Sequence, residues 1–374
     1  MTAMHSHTRS RQSGRYVQRG LTLIEFMVSI VLGMIIVAAL ATLVADQSVN
    51  RAEIDRSGRL IENGRYAIRA LAEDLQMAGY WGELSSPPTA PAGWTDPCGG
   101  SPAAPTKTEI EASLGWHVSG LEVPGGTARP GYNSTAPMPT TVGCLSNLKA
   151  GTDVLVIRRT EPDSSPYETA GAVDLGKLNS NASPVNNTRL FMQTGLDPAT
   201  NLFSYKIDLG SNGGTFDLKR KDGASLATVR KIIVRIYYVT TCSICTGGSP
   251  DSIPSLKMKE LVEGPGWSDA ITVAEGIENL QLEYGLDTAT VDGAPDGSDK
   301  AAPSVATGDW PAVVTAKIYL LARSLETTPG YDDAKTYPLG LAGTVTPAGV
   351  ERNYRRHVFV QSVRLVNPSA RRAL

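Results

Sequence analysis

Residues 19–46 read RGLTLIEFMVSIVLGMIIVAALATLVAD, and the reading of this stretch decides the fold. From Phe26 to Ala45 the chain carries 20 residues without a formal charge, enough for a helix to cross a bilayer. Leu21 to Ile24 extend the apolar character toward the amino end, yet Glu25 interrupts it. A carboxylate at the edge of hydrocarbon is costly and is usually retained for function.

The flanking charges give an orientation. Residues 1–20 hold Arg9, Arg11, Arg15 and Arg19 and no acid. Beyond Gly20 the remaining 31 of 35 basic residues face 37 acidic ones, a net charge of −6. Basic residues ahead of a span stay in the cytoplasm, which puts Asp46 onward across the membrane. In a bacterium that compartment is the periplasm, where disulfides persist, and all four cysteines lie beyond the span. The total formal charge of −2 argues against nucleic acid as a partner. With 374 residues, 19% charged and 41% hydrophobic, the chain can bury an ample core. A cleaved secretory signal fits poorly, because the apolar run exceeds the roughly 7–15 residues of such signals and no clean small-x-small pair precedes Asp46. From hydropathy alone, an uncleaved signal anchor is the plain alternative.

Gly20 is followed by Leu21, Thr22, Leu23, Ile24 and Glu25: a basic leader, a glycine, then an apolar helix with glutamate at its fifth position. This combination resembles the processing site of type IV prepilins and of the pseudopilins of type II secretion. The resemblance implies a leader, residues 1–20, removed by a prepilin peptidase that cuts between Gly20 and Leu21, followed by N-methylation of Leu21. It also implies that Glu25 is an assembly contact, pairing with the new ammonium of Leu21 on a neighbouring subunit. Opposite charges attract strongly in a low-dielectric bundle, but desolvation cancels much of the gain, so such a pair supplies register more than stability. The other reading of Glu25 is a helix-end carboxylate at the membrane surface, favoured by the helix dipole. Leu21 departs from the phenylalanine usual in major pilins. Thr42 stands where they often carry a helix-breaking proline, so no kink is expected there.

The pattern predicts an N-terminal helix over 21–82, with its transmembrane and assembly part at 21–45. No proline occurs between Leu21 and Ser86, and Ile61, Ile68 and Leu75 recur at seven-residue spacing with Leu71 and Ala78 beside them. Arg65, Arg69, Glu73 and Asp74 lie off this stripe, as expected for an amphipathic helix lying on a sheet. Gly33, Gly58 and Gly64 are candidate points of bending or close packing. Residues 83–374 are expected to form a periplasmic β-rich domain, with an irregular Pro/Gly-rich loop region at 85–143. Short β-type runs begin at Asp153, Lys231, Ser255, Ile277, Val313 and His357, several alternating apolar and polar residues. One long helix followed by many strands gives the α+β class: a long N-terminal helix packed on an antiparallel β-rich globular domain, pilin-like.

Four further segments extend the resemblance: DLQMAGYWG (Asp74 to Gly82), GTDVLVIRR (Gly151 to Arg159), AEGIENLQLEYG (Ala274 to Gly285) and YRRHVFVQSVRLVNP (Tyr354 to Pro368). In this order they resemble the PilW-type minor pilins of the type IV pilus. That family implies a non-enzymatic, low-abundance subunit that helps initiate the fibre and sits at or near its tip. The subunit would start in the inner membrane with its N-terminus cytoplasmic. Its implied partners are other minor pilins, the major pilin, the prepilin peptidase, the inner-membrane assembly platform and often a large PilY-type adhesin. The J-type pseudopilin of type II secretion, typically much shorter, is the alternative within the superfamily.

Candidate chemistry is sparse. Cys242-Ser-Ile-Cys245 is a C-x-x-C, a spacing that redox enzymes use at a helix N-terminus. Here it follows a β-run and enters a Gly/Ser-rich turn, and it reads as a local structural disulfide. A zinc site would need two more ligands. Four cysteines allow three pairings; the expectation is Cys98 with Cys144 and Cys242 with Cys245. Outside the leader the histidines are His117 and His357, neither in a catalytic motif. No G-x-S-x-G, P-loop or H-E-x-x-H pattern occurs, so no catalytic residue, cofactor or metal is expected. Asp287, Asp292, Asp296 and Asp299 offer oxygen ligands suited to Ca²⁺, but their spacing matches no EF-hand and reads as a solvated loop. A membrane-anchored enzyme or sensor would need a catalytic constellation, which is not found, or a cytoplasmic output domain, for which 20 residues leave no room.

Overall fold

With no proline to interrupt it, one helix, α1, runs from Leu23 to Met77 in the computed structural model. The structure describes residues 20, 22–91, 96–99, 105–123, 143–179, 188–262, 264 and 266–374. Two compact units divide the chain, one up to Asp55 and one from Arg56 to Leu374. In the first, the described part of α1 is exposed at every residue but the half-buried Glu53, including Leu23 at 77% and Ile24 at 70%. It is long and apolar enough to cross a membrane.

In the second unit the same helix changes character. Ile68, Leu71, Leu75 and Ala78 are buried, as the seven-residue stripe predicts; Leu60 and Ala67 are buried beside them, whereas Ile61 of the stripe is only half-buried. Gly64 belongs to that face for want of a side chain: a Cβ there would lie 2.0 Å from Cε2 of Phe359. Gly33 and Gly58, by contrast, face open space. The helix stops at Met77, short of the expected 82. Gly79 turns left-handed at φ +68°, and its N–H donates to Arg158 O at 2.9 Å instead of continuing the helix.

The rest of the second unit is built on two antiparallel sheets. Its ten longest described strands are β1 (Val118–Glu122), β2 (Asp153–Thr160), β3 (Leu190–Leu196), β4 (Phe203–Leu209), β5 (Val229–Thr240), β6 (Ser255–Val262), β7 (Ile271–Glu275), β8 (Ile277–Leu286), β9 (Val313–Arg323) and β10 (Arg356–Arg364). In the first sheet β5 is the centre. It pairs β2 on one edge, with β1 beyond, and on the other edge pairs β6 at its C-terminal half and β3 at its start. β7 extends β6 and β4 extends β3. The second sheet runs β8–β9–β10, with a two-residue strand, Lys300–Ala301, on the outer edge of β8. A long helix with antiparallel sheets is the α+β architecture that the sequence predicts.

The stripe of α1 shares one core with Leu155, Ile157, Tyr237 and Val239 of the first sheet and Leu280, Leu282, Ile318 and Leu320 of the second. Burying each such Leu or Ile is worth about 1.5–3 kcal/mol, which fixes the helix to the domain. The other face of the first sheet carries a second core of Val154, Val156, Ile232 and Val234, covered by Trp81, Cys98, Ile110 and Leu114. The 85–143 segment is therefore not all irregular. It contains a short helix, α2 (Lys107–Ser113), opened by a capping box between Thr106 and Glu109, and the buried strand β1. A five-residue helix, α3 (Leu175–Asn179), and a C-terminal helix, α4 (Val366–Arg372), complete the helices used below.

Candidate functional site

The start of α1 is organised by two residues of the predicted processing motif. Thr22 donates from its backbone N–H and from Oγ1 to Oε2 of Glu25, both at 2.9 Å, and Glu25 N–H returns a bond to Thr22 Oγ1 at 3.3 Å. This is a reciprocal capping box, which satisfies orphan N–H groups and places negative charge at the positive end of the helix dipole. Oε1 of Glu25 makes no hydrogen bond among the described residues, so it can accept one from outside the subunit. Gly20 is exposed, while Leu21, the predicted methylation site, and residues 1–19 lie outside the described residues. Along the apolar stretch Ser29 Oγ donates to Glu25 O at 2.7 Å and Thr42 Oγ1 to Ala39 O at 2.9 Å. Both hydroxyls are thus satisfied within the helix and need no water.

At the other end of α1 the sequence places Asp74 off the apolar stripe, yet it is buried. Its Oδ1 accepts from Arg159 Nε at 2.9 Å and lies 3.3 Å from Arg235 Nη1, and its Oδ2 accepts from Tyr237 Oη at 2.9 Å. Arg235 in turn donates from Nε to Glu260 at 2.8 Å. Burial and the neighbouring Asp74 push the Tyr237 hydroxyl's pKa up. Burial opposes the Arg235 charge, but Asp74, Tyr237 and Glu260 outweigh it and its pKa is raised. The network floors a groove of about 440 Å³ between α1 and the β6–β7 pair, rimmed by Tyr66, Ala70, Met77, Met258 and Ile271.

The helix exit is held by the carboxyl end of the chain. Asn367 Nδ2 donates to Met77 O and Ala78 O at 3.4 and 3.3 Å, and Arg371 Nη1 donates to Gly79 O at 2.8 Å. These carbonyls lie at and just beyond the C-terminal end of α1, where a cation suits the dipole. Arg372 pairs with the fully buried Asp287 at 2.9 Å. His117 lies beside this exit with Nε2 2.8 Å from Val313 O, and burial pushes its pKa down to about 3. Arg158 is buried with no carboxylate partner among the described residues, donating to Ser113 Oγ, Trp116 O and Ser119 Oγ, and burial lowers its pKa to about 9. Sequence reasoning missed Asp74, Arg158 and Arg159 as buried charges. The acids beside α1's stripe and the Arg-Arg pair ending a β-run were the only local signals.

Two disulfides are present, Cys98–Cys144 and Cys242–Cys245, with Cα separations of 5.4 and 5.3 Å. The acidic run does not converge on one point. Asp296 Oδ2 accepts three backbone N–H groups, from Thr288, Ala289 and Thr290, and Asp287 is taken by Arg372. Among the described residues no three His, Cys, Asp or Glu side chains come together as metal ligands. His357 is exposed and packs edge-on against Phe359.

Two family models match the chain. The prokaryotic N-terminal methylation motif matches residues 15–41, which contain the Gly20–Glu25 segment and the exposed apolar start of α1. The model described as Type IV pilus-assembly protein W (PilW) matches residues 236–367, from within β5 to α4. No curated protein matches the chain. Among solved structures, a type IV-like pilin from Thermus thermophilus aligns at 12% identity with a TM-score of 0.34, covering 83% of this chain and 97% of that one, too loose a likeness to support inference. The chain is thus similar to type IV pilins at its methylation motif and to the PilW family from residue 236 to residue 367.

Proposed function

We propose that the chain is cut between Gly20 and Leu21, methylated at Leu21, and built into a type IV pilus as a minor subunit at or near the tip, where it helps initiate assembly. The observation that carries this reading is the Thr22–Glu25 cap. It orients the Glu25 carboxylate at the head of α1, four residues from the expected new amino terminus, on a helix whose apolar side chains from Leu23 to Val49 are exposed. Such a carboxylate can pair with the ammonium of a neighbouring subunit and set register between helices. Residues 83–374 would crowd every lateral position of a fibre made mainly of this chain, which favours a low-abundance place near an end. Pilins are structural subunits, and the partners follow from that role: other minor pilins, the major pilin, the prepilin peptidase and the assembly platform.

The test is the N-terminal residue and intact mass of membrane-extracted protein, with and without the prepilin peptidase. A start at Leu21, one methyl group heavier and dependent on that enzyme, is expected. Glu25→Ala should then leave cleavage intact and abolish incorporation into sheared pili. An intact Met1 end or a cut near Ala45 overturns the processing reading. Unchanged piliation with lost protein secretion in a deletion strain would assign the chain to a secretion system instead.

A further inference from the structure

We propose that Cys242–Cys245 is a reversible thiol–disulfide exchange site, with Cys245 as the exchanging sulfur and Lys257 as the group that activates it. Its partner class is a protein dithiol–disulfide oxidoreductase. The two disulfides sit in opposite surroundings. Cys98 is fully buried within the second core, and its bond to Cys144 spans 46 residues. Cys242 and Cys245 are three residues apart and close a tight loop at the tip between β5 and β6. Cys242 is buried, Cys245 is partly exposed, and Ile244 between them is 64% exposed.

Beneath this loop lies Lys257, itself only 7% exposed. Its Nζ donates to Ser243 O at 2.7 Å and stands 3.8 Å from Cys245 Sγ. Two acids lie nearby: Asp251 accepts the N–H groups of Ser243, Ile244 and Ile253 and also feels the Lys257 charge, and Glu275 accepts from Ser243 Oγ. An ammonium at that distance favours the thiolate of a reduced Cys245, and the thiolate is the species that exchanges. A purely structural bond needs no buried cation aimed at its more accessible sulfur.

In the oxidising direction the Cys245 thiolate attacks one sulfur of the partner's disulfide, expels the partner's other sulfur as thiolate and forms a mixed disulfide. Cys242, after losing its proton, attacks Cys245 Sγ and expels the partner's second thiolate. Two electrons pass from the cysteines to the partner, which is left as one thiolate and one thiol, the latter carrying the proton that Cys242 lost. Reduction by the dithiol form of the partner is the reverse, through the same mixed disulfide on Cys245. Opening frees a loop that is tied by Ser243 to Glu275, whose carbonyl accepts from Asn63 of α1 at 3.1 Å. The redox state is thereby linked to the flank of the helix.

The experiment uses the full chain in detergent, equilibrated in graded glutathione buffers, trapped with iodoacetamide and mapped by peptide mass. Cys242–Cys245 should open in buffers that leave Cys98–Cys144 closed. At pH 7 the reduced Cys245 should alkylate ~10-fold faster than Cys242, Lys257→Met should remove most of that advantage, and Lys257→Arg should restore it. Earlier opening of Cys98–Cys144, faster reaction at Cys242, or an unchanged rate in Lys257→Met overturns the proposal. If the variants do not fold, the pH dependence of alkylation in the unaltered chain decides. A midpoint below the ordinary thiol range supports the site, and one at or above it sinks the idea.

Discussion

Phe359 of β10 lies across Gly64 of α1 so closely that a Cβ at residue 64 would sit 2.0 Å from its ring. The helix can approach the second sheet here only because residue 64 has no side chain. Gly64→Ala should destabilise the domain, since overpacking costs about 1–3 kcal/mol and the gain in helix propensity returns only about 1 kcal/mol. Phe359→Leu in the same chain should recover part of the loss. Gly58→Ala, on an exposed face with open space around it, should instead raise stability by about 0.5–1 kcal/mol. Urea unfolding midpoints of the three variants check this, and equal effects at 58 and 64 would refute the close approach.

Asp74 holds two arginines and a tyrosine that come from two different strands. Removing its charge leaves Arg159 buried without its counter-ion, so Asp74→Asn should cost about 3–5 kcal/mol. Arg69→Ala, which breaks an exposed pair with Glu73, should leave the unfolding midpoint unchanged within error. Denaturation curves on both proteins distinguish a buried hub from a surface pair.

His117 is neutral in the folded domain down to about pH 3, whereas the unfolded chain protonates it near the ordinary histidine value of 6.5. The unfolded state therefore binds more protons between these limits, and stability falls as the pH is lowered from 6.5 toward 3. One such proton contributes a slope of roughly 1.4 kcal/mol per pH unit. Between pH 6.5 and 5, above the ordinary carboxylate range, His117→Gln should flatten the measured slope while keeping a donor for Val313 O. A slope that survives the substitution would mean that another group carries it.

Arg372 neutralises Asp287, whose carboxylate is fully buried. Arg372→Met should cost about 3 kcal/mol by stranding that charge, and adding Asp287→Asn should return a good part of it. A double-mutant cycle in urea measures the coupling. Additive losses would show that α4 contributes by packing alone.

Much of this was written in local pattern. The stretch from Arg19 to Asp46 announces the exposed helix, and the seven-residue stripe names Ile68, Leu71 and Leu75 among the buried positions of α1. Six alternating or apolar runs mark β2, β5, β6, β8, β9 and β10 within a few residues. β3 and β4 escaped notice because LFMQTGL and FSYKIDL mix polar residues into short strands, and Gln193 is buried by bonds to Leu218 and Ala227 that no local window contains. β1 was hidden among prolines and glycines. Its own Gly120 is there because a Cβ would meet Tyr284 Oη at 2.4 Å.

The sequence by itself determined the elements whose cause is periodicity or composition: the apolar span, the amphipathic half of α1 and the order of helix before strands. Only the tertiary structure decided which charges are buried, because a buried charge is tolerable only beside partners that the fold supplies. Asp74 meets Arg159 from 85 residues away and Tyr237 from 163, and Lys257 is aimed at Cys245 only because β6 runs back beneath the loop that leaves β5.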